Sequence, residues 1–298
     1  MQRRLTLLAC ASILVNSMAI AKQPVSHENL AADFYKADGD VAVILLHGTM
    51  AHNRMEIIST VAGLVSEDYG FSVLAPNLSF SDESRMGKSG NGYPTLVACD
   101  IEHRHKYFDV LDELGTWVDY LEGQGYDKVV VAGHSRGGAQ VSAFLATPNL
   151  SSAVVGGVLI APGGSSSPEK NIALFKKNTG LDLELTLKKA RGMNPNAFIN
   201  IPQFIYCEDP KVTSASFISE YEFDPRHNTL NNVPKIKVPL AIIGGSEDKI
   251  VPDVTERFAQ FEDKAGVTIE TVEGADHWFR DLYADDVASI VADLVDTL

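Results

Sequence analysis

The sequence predicts an α/β fold with a doubly wound, mostly parallel sheet. Short apolar runs alternate along the chain with longer amphipathic runs, and several of the short runs are apolar on both faces. Strands buried on both faces are typical of a parallel sheet that is covered by helices on each side. A chain of 298 residues with 45% hydrophobic residues can bury a large core, and one domain of this size is common.

The predicted elements follow one another in a regular order. We place strands at 41–46, 71–75, 128–132, 154–160, 240–244 and 267–272. We place helices at 54–67, 101–123, 137–146, 253–264 and 281–297. This alternation of β and α segments predicts βαβ units and hence a parallel sheet.

The alternation stops between residues 163 and 237. This stretch follows the strand at 154–160 and mixes helical with irregular segments. A structureless loop of such length is improbable in a compact domain, so we predict a small helical cap over the carboxyl ends of the strands. The main domain is predicted to run from 22 to 298 and to include this cap.

The first 21 residues have the features of a cleaved signal peptide. Two arginines precede an apolar stretch at 5–20, and Ala19-Ile20-Ala21 fits the cleavage pattern, which predicts a mature chain from Lys22 and a periplasmic or secreted protein. A lipoprotein site at Cys10 is the alternative, but the apolar run before it is short. An uncleaved anchor is not expected, because a spanning helix needs about 20 apolar residues.

Two cysteines, Cys99 and Cys207, remain after the leader. In an oxidising compartment an even pair can form a disulfide, and two buried free thiols are the alternative.

The net charge of −14 argues against nucleic acid as a partner, because the sequence has no cluster of Lys and Arg long enough to overcome the repulsion from phosphate. The glycine pairs at 156–157 and 163–164 lack the lysine and the spacing of a phosphate-binding loop, so no nucleotide cofactor is indicated.

Residues 129–138 carry the first functional motif. An apolar, β-branched run leads directly into G-H-S-R-G at 133–137, which fits the G-x-S-x-G pattern of a nucleophile elbow. The sharp turn from strand to helix holds the serine in a strained backbone conformation, and the glycines keep Cβ atoms out of the turn. The motif predicts Ser135 as a nucleophile at the carboxyl end of the sheet.

An acid and a histidine follow the last two predicted strands. The loop after the fifth strand contains Asp248, and the loop after the sixth contains His277. An Asp in a loop is often only a turn former, but Ser135, Asp248 and His277 each follow a separate strand in the order that a nucleophile elbow requires. Glu247 is the alternative acid.

The chain resembles the serine hydrolases of the α/β-hydrolase fold. The resemblance covers nearly all of residues 22–298 and rests on four motifs. They are His47-Gly48-Thr49, the elbow at Ser135, the acid loop 245–252 and Gly274-Ala275-Asp276-His277. This fold serves esterases, lipases, thioesterases, peptidases, dehalogenases and carbon–carbon hydrolases, so the resemblance does not identify the substrate.

The resemblance implies a catalytic triad. His277 would accept the proton of Ser135 during attack and return it to the leaving group. The resemblance places the acid at Asp248 rather than Glu247, where it would orient the imidazole. This mechanism needs no metal ion and no cofactor.

The tetrahedral intermediate needs hydrogen-bond donors for its oxyanion. The resemblance implies the backbone N–H groups of Arg136 and Thr49, with Met50 as the alternative to Thr49. The family often has an apolar residue after the serine, so the side chain of Arg136 is a departure. It either faces the pocket, where it favours a substrate carboxylate or phosphate, or pairs with an acidic neighbour along its helix and is structural.

Four residues are candidate substrate contacts: His47, Met50, His103 and His105. The last two also raise the question of a metal site. On a helix, residues two apart point about 200° apart and cannot easily hold one ion. We place both histidines at the start of helix 101–123, with Asp100 as its N-cap, and predict no metal site.

The sequence therefore predicts an exported serine hydrolase that cleaves a carboxylic ester, small or lipid-like, through an acyl-enzyme. The alternatives within this class are an amide or peptide hydrolase similar to prolyl iminopeptidases, and a thioesterase. A non-catalytic binding protein on the same fold is the alternative from another class. Such a protein would have no physical need for a serine, an acid and a histidine at three separate strand ends.

Overall fold

The computed structural model describes residues 22–78, 96–97, 99–164 and 167–298. The predicted leader and its alternative lipidation site at Cys10 lie outside these residues. Thirteen strands occur in the described part of the chain: β1 Lys22–His27, β2 Leu30–Tyr35, β3 Val41–Leu46, β4 Ser72–Asn77, β5 Glu102–His103, β6 Lys128–His134, β7 Val154–Ile160, β8 Phe198–Ile199, β9 Gln203–Phe204, β10 Cys207–Glu208, β11 Lys211–Thr213, β12 Leu240–Gly245 and β13 Val267–Val272.

Nine α-helices occur in the same residues: α1 Glu56–Glu67, α2 Asp109–Gly123, α3 Arg136–Leu145, α4 Pro168–Thr179, α5 Leu183–Arg191, α6 Ser214–Tyr221, α7 Thr229–Asn232, α8 Val254–Phe258 and α9 Leu282–Asp296. Short 3-10 turns lie at Pro225–His227, Val233–Lys235 and Ala259–Phe261.

Eight strands form the central sheet, in the order β1-β2-β4-β3-β6-β7-β12-β13. The strands from β4 to β13 in this order are parallel, while β2 pairs antiparallel with both β1 and β4. The predicted doubly wound, mostly parallel sheet is confirmed. Sequence reasoning missed β1 and β2, because neither strand shows the continuous apolar run of the central strands.

Two apolar layers cover the two faces of the sheet. In β3 every residue is buried, and alternate side chains enter opposite layers: Ile44 packs into the layer of α2, α3 and α8, and Val43 into the layer of α1 and α9. The period of two in a strand forces this division. The sheet is thus fixed from both sides, and the loops after its strands have a rigid base.

The start of α2 corrects the predicted helix at 101–123. The helix begins at Asp109, and residues 102–103 instead form β5, so Asp100 is not an N-cap. The cause is long-range: β5 pairs in parallel with β11, a strand more than 100 residues later, which places Val212 opposite His103. The predicted helix at 253–264 is also shorter, since α8 ends at Phe258 and a 3-10 turn follows.

The stretch at 163–237, here called the insertion, has its own structure within its described residues. It contains α4, α5, α6 and α7, and also the short strands β8 to β11, so it is not purely helical as predicted. A separate apolar cluster forms its core: Phe175, Leu183, Leu187, Ala190, Ile199, Ile201, Phe204, Val212 and Phe217. Polar caps define its helices, as where the Asp182 side chain accepts a hydrogen bond from Leu185 N–H at 2.9 Å.

The insertion is attached to the segment 99–108, which lies between β4 and α2. Cys99 and Cys207 form a disulfide, with Cα atoms 5.3 Å apart, so the alternative of two free thiols is wrong. The backbone N–H of Tyr107 donates to Ser219 Oγ of α6 at 2.8 Å. Together with the pairing of β5 and β11, these contacts hold the insertion against the main domain.

None of the helices in the described residues is long and apolar enough to cross a membrane.

Candidate active site

Ser135 lies in a sharp turn between β6 and α3. Its backbone has φ 57° and ψ −120°, a strained conformation for a residue with a Cβ atom. Neither flanking glycine leaves room for a Cβ atom. A Cβ on Gly133, for example, would lie 2.6 Å from the carbonyl carbon of Gly137. The N–H of Ser135 donates to Ile160 O at 2.8 Å, which anchors the turn to β7. The predicted elbow geometry is therefore present at this position.

His277 joins Ser135 to Asp248. Its Nε2 is 3.0 Å from Ser135 Oγ, and its Nδ1 is 2.7 Å from Asp248 Oδ2. A carboxylate at Nδ1 fixes the proton on that nitrogen and leaves Nε2 to accept the proton of the serine. The structure thus brings together the three side chains that the sequence predicted, from three separate strand ends.

Asp248 is held as a charged acceptor. Its second oxygen, Oδ1, accepts hydrogen bonds from the N–H groups of Ile250 and Val251, both at 2.8 Å. Burial raises the pKa of Asp248, but the hydrogen bonds from His277 and from these two backbone groups outweigh burial, and the net pKa is lower than usual. Glu247, the alternative acid, is exposed and does not take this position.

His134 is a site residue that sequence reasoning missed. Its ring packs 4.7 Å from the ring of His277, and its Nε2 donates to the carbonyl oxygen of His277 at 2.8 Å. Burial, followed by the nearby His277, lowers the pKa of His134 to about 3. His134 therefore stays neutral and supports the backbone of His277. Its position directly before Ser135 in the elbow motif is the sequence feature that could have identified it.

The segment at 47–50 lies against the nucleophile. A Cβ on Gly48 would be 3.1 Å from Ser135 Cβ, a tight contact that glycine avoids. Met50 has φ 48° and is buried, and its carbonyl oxygen accepts from Val97 N–H at 2.6 Å. Among the described residues, neither Thr49 N–H nor Met50 N–H has a hydrogen-bond acceptor.

His47 uses its ring inside the protein. Its Nδ1 donates to Gly48 O at 3.1 Å, and its Nε2 accepts from Leu78 N–H at 3.3 Å. Burial lowers its pKa to about 4, so the ring is neutral. His47 therefore uses both ring nitrogens to hold the loop at 47–50 in place.

The side chain of Arg136 pairs with an acidic residue, but not along its own helix. Nη1 and Nη2 each lie 2.7 Å from an oxygen of Glu220, which belongs to α6 of the insertion. Of the two interpretations of this side chain, the structural one is therefore supported, with a partner 84 residues away that sequence reasoning could not identify. The Arg136 N–H has no acceptor in the described part of the chain.

His103 and His105 are buried on the same side of an extended segment, with ring centroids 5.7 Å apart. The prediction that these two residues lie on a helix is thus wrong, and so is the argument drawn from it that their rings point too far apart to hold one metal ion. Burial lowers the pKa of His103 to about 4, and its ring packs against Phe204 of the insertion. Across the described residues, no group of three or more His, Cys, Asp or Glu side chains could hold a metal ion.

A cavity of about 430 Å³ lies between α5, α6 and the segment 106–108. Its lining includes Phe108, Met193, Ile218, Phe223 and His227. Ser135, Asp248 and His277 do not line it, so the volume of this cavity says nothing about the group on which the serine would act.

The fold is similar to that of several solved structures. Est1E from Butyrivibrio proteoclasticus has 15% sequence identity and a TM-score of 0.59, over 92% of this chain and 99% of that chain. The esterase Pf2001 from Pyrococcus furiosus has 18% identity and a TM-score of 0.56, over 93% and 89%. A monoacylglycerol lipase from Paleococcus ferrophilus has 19% identity and a TM-score of 0.56, over 90% and 98%. At such identities the likeness shows the fold alone.

None of the curated proteins compared with the chain matches it. In contrast, residues 43–290 match the Alpha/beta hydrolase family, and this match spans the elbow at Ser135 and the loops that carry Asp248 and His277. Because the match covers well over half of the chain and the sheet has the same architecture, the protein is an enzyme of the alpha/beta hydrolase family.

Proposed function

We propose that this enzyme is an exported serine hydrolase that cleaves carboxylic esters through an acyl-enzyme intermediate. The observation that carries the proposal is the pair of hydrogen bonds at His277, 3.0 Å to Ser135 Oγ and 2.7 Å to Asp248 Oδ2. This is the geometry in which an imidazole can remove a proton from a serine while a carboxylate stabilises the resulting cation.

In the acylation step, Ser135 Oγ attacks the ester carbonyl carbon and His277 Nε2 takes its proton. The tetrahedral intermediate then collapses, and the same proton passes from His277 to the departing alkoxide. In the second step, His277 removes a proton from water as the water oxygen attacks the acyl carbon. The tetrahedral intermediate then collapses, the carboxylic acid leaves, and His277 returns the proton to Ser135 Oγ. Asp248 keeps its charge throughout and compensates that of the imidazolium.

Two backbone N–H groups are proposed to hold the oxyanion. One belongs to Arg136, directly after the nucleophile, and the other to Thr49, with Met50 as the alternative. The close approach of Gly48 to Ser135 and the lack of an acceptor for these N–H groups among the described residues support the assignment. Each such donor contributes about 3–4 kcal/mol to transition-state stabilisation in comparable sites.

The substrate is proposed to be uncharged near the scissile bond. The guanidinium of Arg136 is neutralised by Glu220, so it offers no free positive charge to a carboxylate or phosphate. Two of the similar structures are named as an esterase and a monoacylglycerol lipase, and these names support an ester as the first substrate to test.

The test is a series of p-nitrophenyl esters from acetate to laurate, with Ser135→Ala beside the unmodified protein. We expect kcat to fall by at least about 10⁴-fold in Ser135→Ala. Ser59→Ala, on α1 and away from the site, is the matched control and should retain full activity. The optimum of chain length separates a small-ester hydrolase from a lipase-like one. Equal rates for Ser135→Ala and the unmodified protein would overturn the proposal.

Amide and thioester substrates belong to the same experiment. Aminoacyl p-nitroanilides and acyl thioesters should react more slowly than the best p-nitrophenyl ester, after correction for their uncatalysed rates. A p-nitroanilide that reacts faster than every ester would replace the ester proposal with the peptidase alternative.

Export is proposed from the predicted leader at residues 1–21 and is supported by one feature of the described residues. The disulfide between Cys99 and Cys207 is typical of an oxidising compartment. Mass spectrometry of the protein recovered from the periplasm or medium should give an N-terminus at Lys22, whereas an intact N-terminus in the cytosol would contradict export.

A further inference from the structure

The side chain that follows the nucleophile is fixed by the insertion. Arg136 is the first residue of α3, and its guanidinium forms a two-point pair with the carboxylate of Glu220, with both N–O distances at 2.7 Å. The Arg136 side chain is 9% exposed and that of Glu220 is 16% exposed. A two-point Arg–carboxylate pair has a strong directional preference, and in a nearly dry setting water does not weaken it.

Tyr107 completes the enclosure of this pair. The guanidinium carbon of Arg136 lies 4.2 Å from the centre of the Tyr107 ring. Tyr107 is itself tied to the insertion, since its N–H donates to Ser219 Oγ, one residue before Glu220. The burial of Glu220 raises its pKa, but the adjacent Arg136 outweighs burial, and the net pKa is lower than usual. The carboxylate therefore stays charged and the pair stays formed.

The peptide group between Ser135 and Arg136 is held at its other end as well. Its carbonyl oxygen, that of Ser135, accepts hydrogen bonds from Gly163 N–H at 3.0 Å and from Ala139 N–H at 3.1 Å. Its N–H, that of Arg136, has no acceptor among the described residues. The plane of this peptide is thus fixed by the two bonds at its oxygen and by the locked side chain beyond its nitrogen.

We propose that Glu220 is a positioning residue for catalysis. Through Arg136, it holds the peptide group that joins Ser135 to Arg136, whose N–H is proposed to stabilise the oxyanion. This inference rests on the proposed function. If Glu220 has this role, the insertion takes part in catalysis without contacting the scissile bond. Helix α6, through Glu220, then sets the orientation of the Arg136 N–H.

A positioning role has a kinetic signature that a purely structural role lacks. An oxyanion donor acts in the transition state, so its misplacement lowers kcat and leaves KM nearly unchanged. A shift of about 1 Å in such a group is enough for a loss of about 10²-fold. If Glu220 only stabilised the fold, kcat per active site would not change in the folded variant.

The first variant is Glu220→Gln, which keeps the size of the side chain and removes its charge. The matched control is Glu222→Gln, two residues further on, whose carboxylate is 47% exposed and pairs with Arg191 on the surface. We expect kcat per active site, counted by titration with a fluorophosphonate, to fall by about 10- to 100-fold in Glu220→Gln. KM should change by less than about twofold, and Glu222→Gln should match the unmodified enzyme.

A double variant tests whether Glu220 acts through Arg136. Arg136→Met keeps a long apolar stem without the guanidinium, and kcat should fall here as well. Glu220→Gln added to Arg136→Met should cause no further loss, because the connection is already broken. If the two losses instead multiply, Glu220 acts by another route and the proposal is wrong.

Other results would also overturn it. These are an unchanged kcat in Glu220→Gln, a rise in KM alone, or an equal loss in Glu222→Gln. If Glu220→Gln does not fold, Arg136→Lys replaces it: lysine keeps the charge but not the two-point geometry, so kcat should still fall. Inactivity of Ser135→Ala together with a normal kcat in these variants would reject the role of Glu220 and leave the proposed function intact.

Discussion

At the scale of single residues, the three side chains of the proposed triad are held in place in different ways. Asp248 is held by three hydrogen bonds, from His277 and from the N–H groups of Ile250 and Val251. His277 is held by Asp248 on one side and by His134 at its carbonyl oxygen. Ser135 is held through its backbone, by strain in the turn. Of the three residues, Asp248 is therefore the one that a substitution of the same shape should displace least.

Asp248→Asn tests this carboxylate. The amide keeps the shape of the side chain, but its NH2 group can face His277 Nδ1 and favour the tautomer with the proton on Nε2, which cannot accept from Ser135. We expect kcat to fall by about 10⁴-fold. The measurement is steady-state hydrolysis of the best p-nitrophenyl ester.

Glu247→Gln is the matched control for this variant, because Glu247 is the adjacent, exposed acid. Its kcat should equal that of the unmodified enzyme. Loss of activity in Glu247→Gln with retention in Asp248→Asn would identify Glu247 as the acid instead.

At the scale of elements, the nucleophile depends on close packing between the end of β3 and the start of α3. A Cβ on Gly137 would overlap the carbonyl oxygen of His47. The loop that carries Thr49 and the turn that carries Ser135 thus meet at a residue with no side chain, and their separation sets the width of the proposed oxyanion hole.

Gly137→Ala should force these two elements apart. We expect the free energy of unfolding to fall by about 1–3 kcal/mol, as for other overpacked sites, and kcat to fall as well because the donors move. Denaturation in urea and ester hydrolysis measure the two effects.

Gly115→Ala is the comparison, because a Cβ on Gly115 in α2 meets nothing within 4 Å. That variant should gain about 0.5–1 kcal/mol of stability through the better helix propensity of alanine, with activity unchanged. Equal stabilities for the two alanine variants would contradict the steric argument.

Most of the central sheet could be predicted because each of its central strands contains a continuous apolar run in the sequence. Residues 129–133 of β6 and all residues of β12 are apolar without interruption. Strand β6 is followed directly by Ser135, and the loop after β12 contains Asp248. Parallel strands bring their carboxyl ends to one edge, so the order of Ser135, Asp248 and His277 was sufficient to predict their meeting.

The remaining elements could not be predicted, because long-range contacts define them. Strand β5 has two residues and exists through its pairing with β11. The predicted helix at 101–123 starts too early, because no local feature of residues 101–108 indicates that partner. Glu220 likewise carries no local signal, since its role depends on a contact with Arg136 across 84 residues.

At the scale of the whole molecule, buried neutral histidines make stability depend on pH. Burial lowers the pKa of His47 and His103 to about 4 and that of His134 to about 3. An unfolded histidine has a pKa of about 6.5, so between about pH 6.5 and pH 4 the unfolded chain binds more protons than the folded one. Asp248, whose pKa is lowered, loses its contribution only at a more acidic pH.

The free energy of unfolding should therefore fall as the pH drops from about 6.5 to about 4, by at most about 1.4 kcal/mol per pH unit for each histidine. Urea denaturation at a series of pH values measures this slope. His103→Phe, which removes one titrating ring beside Phe204, should make the slope shallower. A stability that stays constant down to about pH 4.5 would contradict the assignment of these rings as neutral.

The disulfide between Cys99 and Cys207 also divides the chain in an unusual way. The covalent loop that it closes contains Ser135 and part of the insertion, while Asp248 and His277 lie outside it. A protease that nicks the insertion at one bond before Cys207 therefore produces two fragments, one with the nucleophile and the other with its base and acid. The disulfide keeps both fragments in a single molecule until a reductant separates them. Before reduction the nicked enzyme therefore differs in mass from the intact one only by the water added in hydrolysis, and two separate fragments appear after reduction.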